Sequence, residues 1–275
     1  MLFFIAYCDL SQLLLKPFFK QLVKDRSSPE LIEKTAEKAV DNIHRMIYYI
    51  VSTIWGYKVL RENTDWLPVW MGGHETGVLQ NVLHVYPWKS WPQPILDYSL
   101  YTSGFHFAAL FLHILRNRKS SGFQEFLLHH IATCALFFGY IYGNLMHMGT
   151  IIAWLHDIAD IATTLCKTFD CIGFDIGTYV SFAGVVVSWF VSRLVWLPII
   201  IVGIARHCLG ILPADIKHLN DILLFSFVTF LSTLQVLHVY WFYLFIRIFL
   251  NALDGKTGDI QEVPEIDVQN EKKNN

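Results

Sequence analysis

Charge is scarce in this chain of 275 residues: 16% are Asp, Glu, Lys or Arg, against 54% hydrophobic and 15% aromatic. A soluble domain keeps about a quarter of its residues charged, so an ordinary water-facing surface is excluded. A basic surplus is missing as well. With 21 Lys and Arg against 23 acidic residues, the formal net charge is −2, and no overall field exists to hold nucleic acid. The five cysteines, Cys8, Cys134, Cys166, Cys171 and Cys208, are odd in number and form no CxxC pair. That removes a disulfide framework and a cysteine metal knuckle. The apolar run at 1–15 lacks a basic lead and an A-x-A cleavage site, so it reads as a short first span, not a cleaved signal.

What remains is a set of long apolar runs, the signature of a polytopic, all-helical membrane protein. After the first run, the segment from Lys16 to Arg45 is basic, compatible with helix and broken at Ser27-Ser28-Pro29, as expected of a solvated connector at the membrane surface. Further spans are expected at 43–60, 98–115, 126–145, 149–168, 178–204 and 221–250. Trp66, Trp70, Trp88 and Trp91, interleaved with prolines, mark a loop at the lipid headgroups. The chain divides into an N-terminal span and connector (1–33), a membrane domain (34–252) and a flexible acidic tail (253–275). The Lys and Arg residues near the span ends favour a cytosolic C-terminus.

Residues 125–167 hold the expensive side chains. His129 and His130 lie in one apolar segment, and His156, Asp157 and Asp160 in the next. A charge at mid-bilayer costs at least roughly 2.5–3.5 kcal/mol, so groups kept there face a partner, a cavity or a substrate. Helical spacing aligns Glu125, His129, Thr133, Tyr140 and Asn144 near one face, and Thr150, Asp157, Asp160, Thr164 and Lys167 on another. The turn between the two segments is short, so the His pair and the carboxylate pair are expected to meet. Three roles stay open on the residues alone. A His oriented by a carboxylate makes a base or nucleophile, His and carboxylate together ligate zinc or iron, and a satisfied polar core or ion path needs neither.

The motifs HHIAT at 129–133 and HDIAD at 156–160, followed by Lys167, resemble the Lag motif of ceramide synthases, members of the TLC-domain membrane family. Trp91-Pro92, FVSRLVWLP at 190–198 and LQVLHVYWFYLFIR at 234–247 extend the likeness over roughly residues 34–250. The resemblance implies about seven transmembrane helices, six forming a bundle around a central tunnel, in the endoplasmic reticulum. It implies transfer of a fatty acyl group from acyl-CoA to the amine of a sphingoid base, with His129, His130, Asp157 and Asp160 as catalytic residues. No cofactor or metal beyond the acyl-CoA co-substrate is expected. Arg193, His238 and Trp241 are candidate substrate contacts, and Arg116, Arg118 and Lys119 are candidate contacts for CoA phosphates. A homodimer or regulatory subunit stays open, as does the alternative of a non-catalytic TLC-domain lipid binder or transporter. The family often has an acid where Gly122 stands, Arg where His147 stands and Glu where Thr164 stands.

Overall fold

The computed structural model describes residues 1–23, 28–63, 67, 90–118, 122–202, 205 and 217–253. Seven helical rods account for nearly all of them, and no strand occurs among the described residues. They are α1 (Leu2–Leu22), α2 (Pro29–Asn63), α3 (Gln93–Arg116), α4 (Phe123–Tyr142), α5 (Met146–Ile172), α6 (Asp175–Trp189, continued as π-helix Phe190–Trp196 and on to Val202) and α7 (Lys217–Leu253). Three of them, α1, the extended α6 and the Phe225–Asn251 part of α7, are long and apolar enough to cross a membrane.

Local chemistry explains the boundaries. Ser28 caps α2 by accepting the Leu31 backbone N–H at 3.2 Å, with Pro29 and Glu30 in the first turn, where a missing donor and a negative charge are favourable. Gly173 ends α5 at φ 71°, a left-handed position suited to a residue without a Cβ. There the Phe174 N–H reaches back to the Phe169 carbonyl at 2.9 Å. The wide turns of α6 stop just before Pro198, which has no N–H to offer the carbonyl four residues back.

Two expectations change. The first span, placed at 1–15, continues to Leu22 through Lys16 and Lys20, and the second half of the expected connector is continuous with the next span in α2. Three of the connector's described basic groups pair with carboxylates of α2. Lys16 lies 2.7 Å from Glu33 and 2.9 Å from Glu37, Lys20 also pairs with Glu33, and Lys34 pairs with Glu30. The bonds of Lys16 and Lys20 tie α1 to α2, and the Lys34–Glu30 pair lies within α2. The hydrogen bonds from the two lysines hold the Glu33 carboxyl below the usual carboxylate range.

The helices α2, α3, α4, α7, α6 and α5 each touch the next in that order, and α1 leans on α2 and α3 from outside. The contact between α5 and α2 is the most extensive in the fold. Nothing described on α5 is exposed, whereas α2, α3, α4, α6 and α7 turn large apolar side chains outward, among them Ile54, Phe111, Phe138, Val180 and Tyr243. The described polar residues of α5 are thus buried or partly buried.

Candidate active site

The turn Gly143–Leu145 joins α4 to α5 and holds them together at one end only. Away from it, α4 packs chiefly against α3 and α7, and α5 chiefly against α2 and α6, leaving space between the two. The expected meeting of two wet faces therefore happens across a gap. Two cavities fill it. One is rimmed by Asn42, Arg45, His130, Lys167 and Arg193. The other is mainly apolar and runs along Leu136, Phe137, Ile152, Leu231 and Leu234. His129 and Asp160 line both, so a polar mouth and an apolar arm join at those two side chains.

Asp160 is held by Arg193, whose Nη2 donates to its Oδ1 at 2.6 Å and to the His156 carbonyl at 3.2 Å. The guanidinium lies flat against Trp189, 3.8 Å from the ring centre, and the residue is only 2% exposed. A buried Arg with an acid and an aromatic face is satisfied without ligand, although its Nε has no partner. The His129 ring stands 5.3 Å from Trp241, 5.5 Å from His130 and 6.3 Å from His238. Its Nδ1 is buried without a hydrogen-bond partner, as are Nδ1 of His130, Nε2 of His156 and both ring nitrogens of His238. Buried polar atoms are normally bonded, so this many orphans around one gap mark a place prepared for a polar ligand.

Asp157 is directed elsewhere. It is wholly buried; its Oδ2 accepts hydrogen bonds from Ser52 Oγ at 2.5 Å and Tyr48 OH at 3.4 Å, and its Oδ1 lies 3.9 Å from His106 Nε2. It lines neither cavity and joins α5 to α2 and α3.

The comparisons with known proteins agree with this architecture. A family model described as TLC domain matches residues 38–247. The chain belongs to the TLC-domain family. Its relatives include ceramide synthase hyl-2 of Caenorhabditis elegans, 27% identical over 249 residues, spanning 84% of this chain and 69% of that protein. Ceramide synthase LOH1 of Arabidopsis thaliana is 24% identical over 259 residues, 90% of this chain and 79% of that protein. Ceramide synthase 4 of Mus musculus is 25% identical over 238 residues, 84% of this chain and 53% of that protein.

Within this TLC domain, the residues singled out from sequence fall into three places. His129, His130, Asp160, Arg193 and Trp241 line the polar mouth, and His238 is buried behind them, 5.0 Å from His156. Asp157 belongs to the α2 side. Of the candidate phosphate contacts, Arg116 pairs with Asp9 at 2.5 Å and lines a neighbouring cavity with Arg45, Arg118 donates to the Ile114 carbonyl, and Lys119 lies outside the described residues. The cations lining the mouth are Arg45, Lys167 and Arg193. The 207–216 stretch and the acidic tail from residue 254 also lie outside the described residues. His106 lines the apolar arm and was missed, although a His inside the apolar run 98–115 is the same kind of signal that exposed His129. Among the described residues, no group of three or more His, Cys, Asp or Glu side chains is arranged to hold a metal ion.

Proposed function

We propose that this TLC-domain protein is a ceramide synthase: it moves a fatty acyl group from acyl-CoA to the amine of a sphingoid base, within a bundle of seven membrane-crossing helices in the endoplasmic reticulum. The observation that carries the proposal is the place of His129 and Asp160 at the junction of a basic mouth and an apolar arm. A thioester of CoA has that polarity along its length, with anionic phosphates at one end and an alkyl tail at the other. Arg45 and Lys167 face the phosphates, the tail lies in the arm, and the carbonyl stops beside His129.

The sphingoid amine arrives as an ammonium with a lysine-like pKa of about 10.4 and must lose a proton before it can attack. Asp160 receives the ammonium and His129 takes its proton, with His130 assisting. The free amine attacks the thioester carbonyl, the carbon–nitrogen bond forms, the carbon–sulfur bond breaks, and the imidazolium returns the proton to the CoA thiolate. In the covalent variant, the His129 imidazole displaces CoA first and passes the acyl group to the amine. Asp157 positions the framework by clamping α2 and α3 to α5.

The test uses microsomes expressing the native chain or His129→Ala, supplied with sphinganine and a panel of acyl-CoAs. Label enters ceramide with the native protein and falls by about 10²–10⁴-fold in the variant, the usual weight of a general acid or base. Equal ceramide formation by both would refute the assignment. Native protein that binds these lipids without forming ceramide would make it a lipid carrier. Rapid-quench mass spectrometry with acyl-CoA alone separates the two chemical routes, because only the covalent one leaves an acylated peptide containing His129.

A further inference from the structure

The apolar arm has a definite depth, and its far end is closed by side chains. On α4 its face runs from His129 to Tyr140, and on α5 from Asp160 back to Gly149. Each interval is eleven residues, which at 1.5 Å of rise per residue makes the arm about 16 Å deep. Phe227 of α7 reaches the same level. There the Tyr140 ring lies directly on Gly149, so close that a Cβ at that glycine would fall within the ring. Phe227 packs beside Gly139, and both aromatic residues are buried, at 2% and 3% exposure. Gly149 lets the Tyr140 ring lie across the arm, because a larger residue there would displace it, whereas Phe227 stands at ordinary contact distance from Gly139.

We propose that the arm takes the acyl tail rather than the sphingoid tail, and that Tyr140 and Phe227 form a floor restricting the acyl group to the long-chain class, about 14–16 carbons, as 16 Å of rise admits about 13 extended carbon–carbon bonds. This rests on the acyltransferase reading above. The choice of tail follows from collinearity. The mouth that holds Arg45 and Lys167 and the arm lie on opposite sides of His129, as the phosphates and the alkyl chain do about a thioester carbonyl. A sphingoid base has no anionic end to place in the mouth.

Microsomes expressing each variant are assayed with sphinganine and acyl-CoAs of 12 to 26 carbons, and separately with sphingoid bases of graded length at one fixed acyl-CoA. The native chain prefers acyl groups near 14–16 carbons and discriminates against those above 20. Tyr140→Ala and the milder Phe227→Leu move the optimum upward, raising the rate ratio of an acyl group two carbons longer by about fifteenfold, from about fourfold per admitted methylene. Gly149→Ala, whose Cβ would dislodge the Tyr140 ring, also changes the optimum. For any variant with too little turnover, chain-length-dependent thermal stabilisation of the purified protein by acyl-CoA supplies the same profile. An unchanged acyl profile in active floor variants overturns the proposal, and so does a shift in the preferred base length with the acyl profile fixed. A native chain that makes no ceramide with any acyl-CoA overturns the reading beneath it.

Discussion

Replacing Arg193 by Met should destabilise the protein by about 3 kcal/mol, and the reason lies in what remains. The guanidinium is 2% exposed and gives Asp160 a hydrogen bond of 2.6 Å. Removing one member of a buried ion pair costs about 3–5 kcal/mol, because the other charge is left in a poorly solvating interior. The Asp160 side chain is 21% open, so water in the mouth offsets part of the loss and places the cost at the lower end. Removing Asp160 as well, in R193M/D160L, leaves no orphaned charge. The double variant should recover about 2 kcal/mol relative to the sum of the single changes. Unfolding of the detergent-solubilised protein, followed by circular dichroism, measures all four corners of the cycle. N-acylation of sphinganine in microsomes supplies the second readout. Stability should return in the double variant while ceramide formation stays absent, because the ammonium has lost its acceptor. Additivity within about 0.5 kcal/mol would refute the pairing, since independent sites behave that way.

Ser52→Ala removes the 2.5 Å bond to Asp157 and the 3.1 Å contact with the Tyr98 hydroxyl without touching either cavity, and should cost about 1.5–3 kcal/mol in the same unfolding measurement. Gly56→Val places a side chain where Tyr98 and Trp154 already pack, and a loss of about 1–3 kcal/mol is expected with the junction of α2, α3 and α5 forced apart. The Glu33 carboxyl, held low by Lys16 and Lys20, contributes to the contact between α1 and α2 above its unfolded pKa and loses that contribution as pH falls through its folded value. Protection from hydrogen exchange at the α1 end near Lys20, taken relative to the intrinsic rate at each pH, should therefore fall below about pH 4 and stay constant between pH 6 and 8, and Glu33→Gln should remove this dependence.

Ionisable residues inside apolar runs were the clearest sign in the sequence, and they led to His129, Asp160 and Arg193 at one mouth, which Trp241, from the family-like block at 234–247, also lines. The partner each group would choose was less legible. Asp157 and Asp160 are three residues apart, about 60° round a helix, so one polar stripe contains both. A stripe states which residues lie near each other on α5. It does not state that α2 occupies one side of that stripe with Ser52 and Tyr48, while the other side faces a cavity. The short turn at Gly143–Leu145 suggested α4 as the principal partner of α5, whereas the most extensive contact is with α2, more than 80 residues earlier in the chain. Arg45 was hidden for a related reason. Among the many cations of an apparent connector, only tertiary packing distinguishes the one carried by α2 to the rim of the mouth.

The π-helical turns at Phe190–Trp196 have a consequence for how this segment tolerates change in length. Wide turns of this kind accommodate an extra residue in an otherwise α-helical rod. Deleting one residue there would let the rod tighten to ordinary pitch with little rotation of what lies beyond, because the wide turns already absorb about one residue. Leu197, now buried against the core, and its neighbours up to Val202 would keep their present faces. A one-residue gap in this stretch is thus less damaging than the same gap in an α-helical part of the rod, where everything beyond it would turn by about 100°.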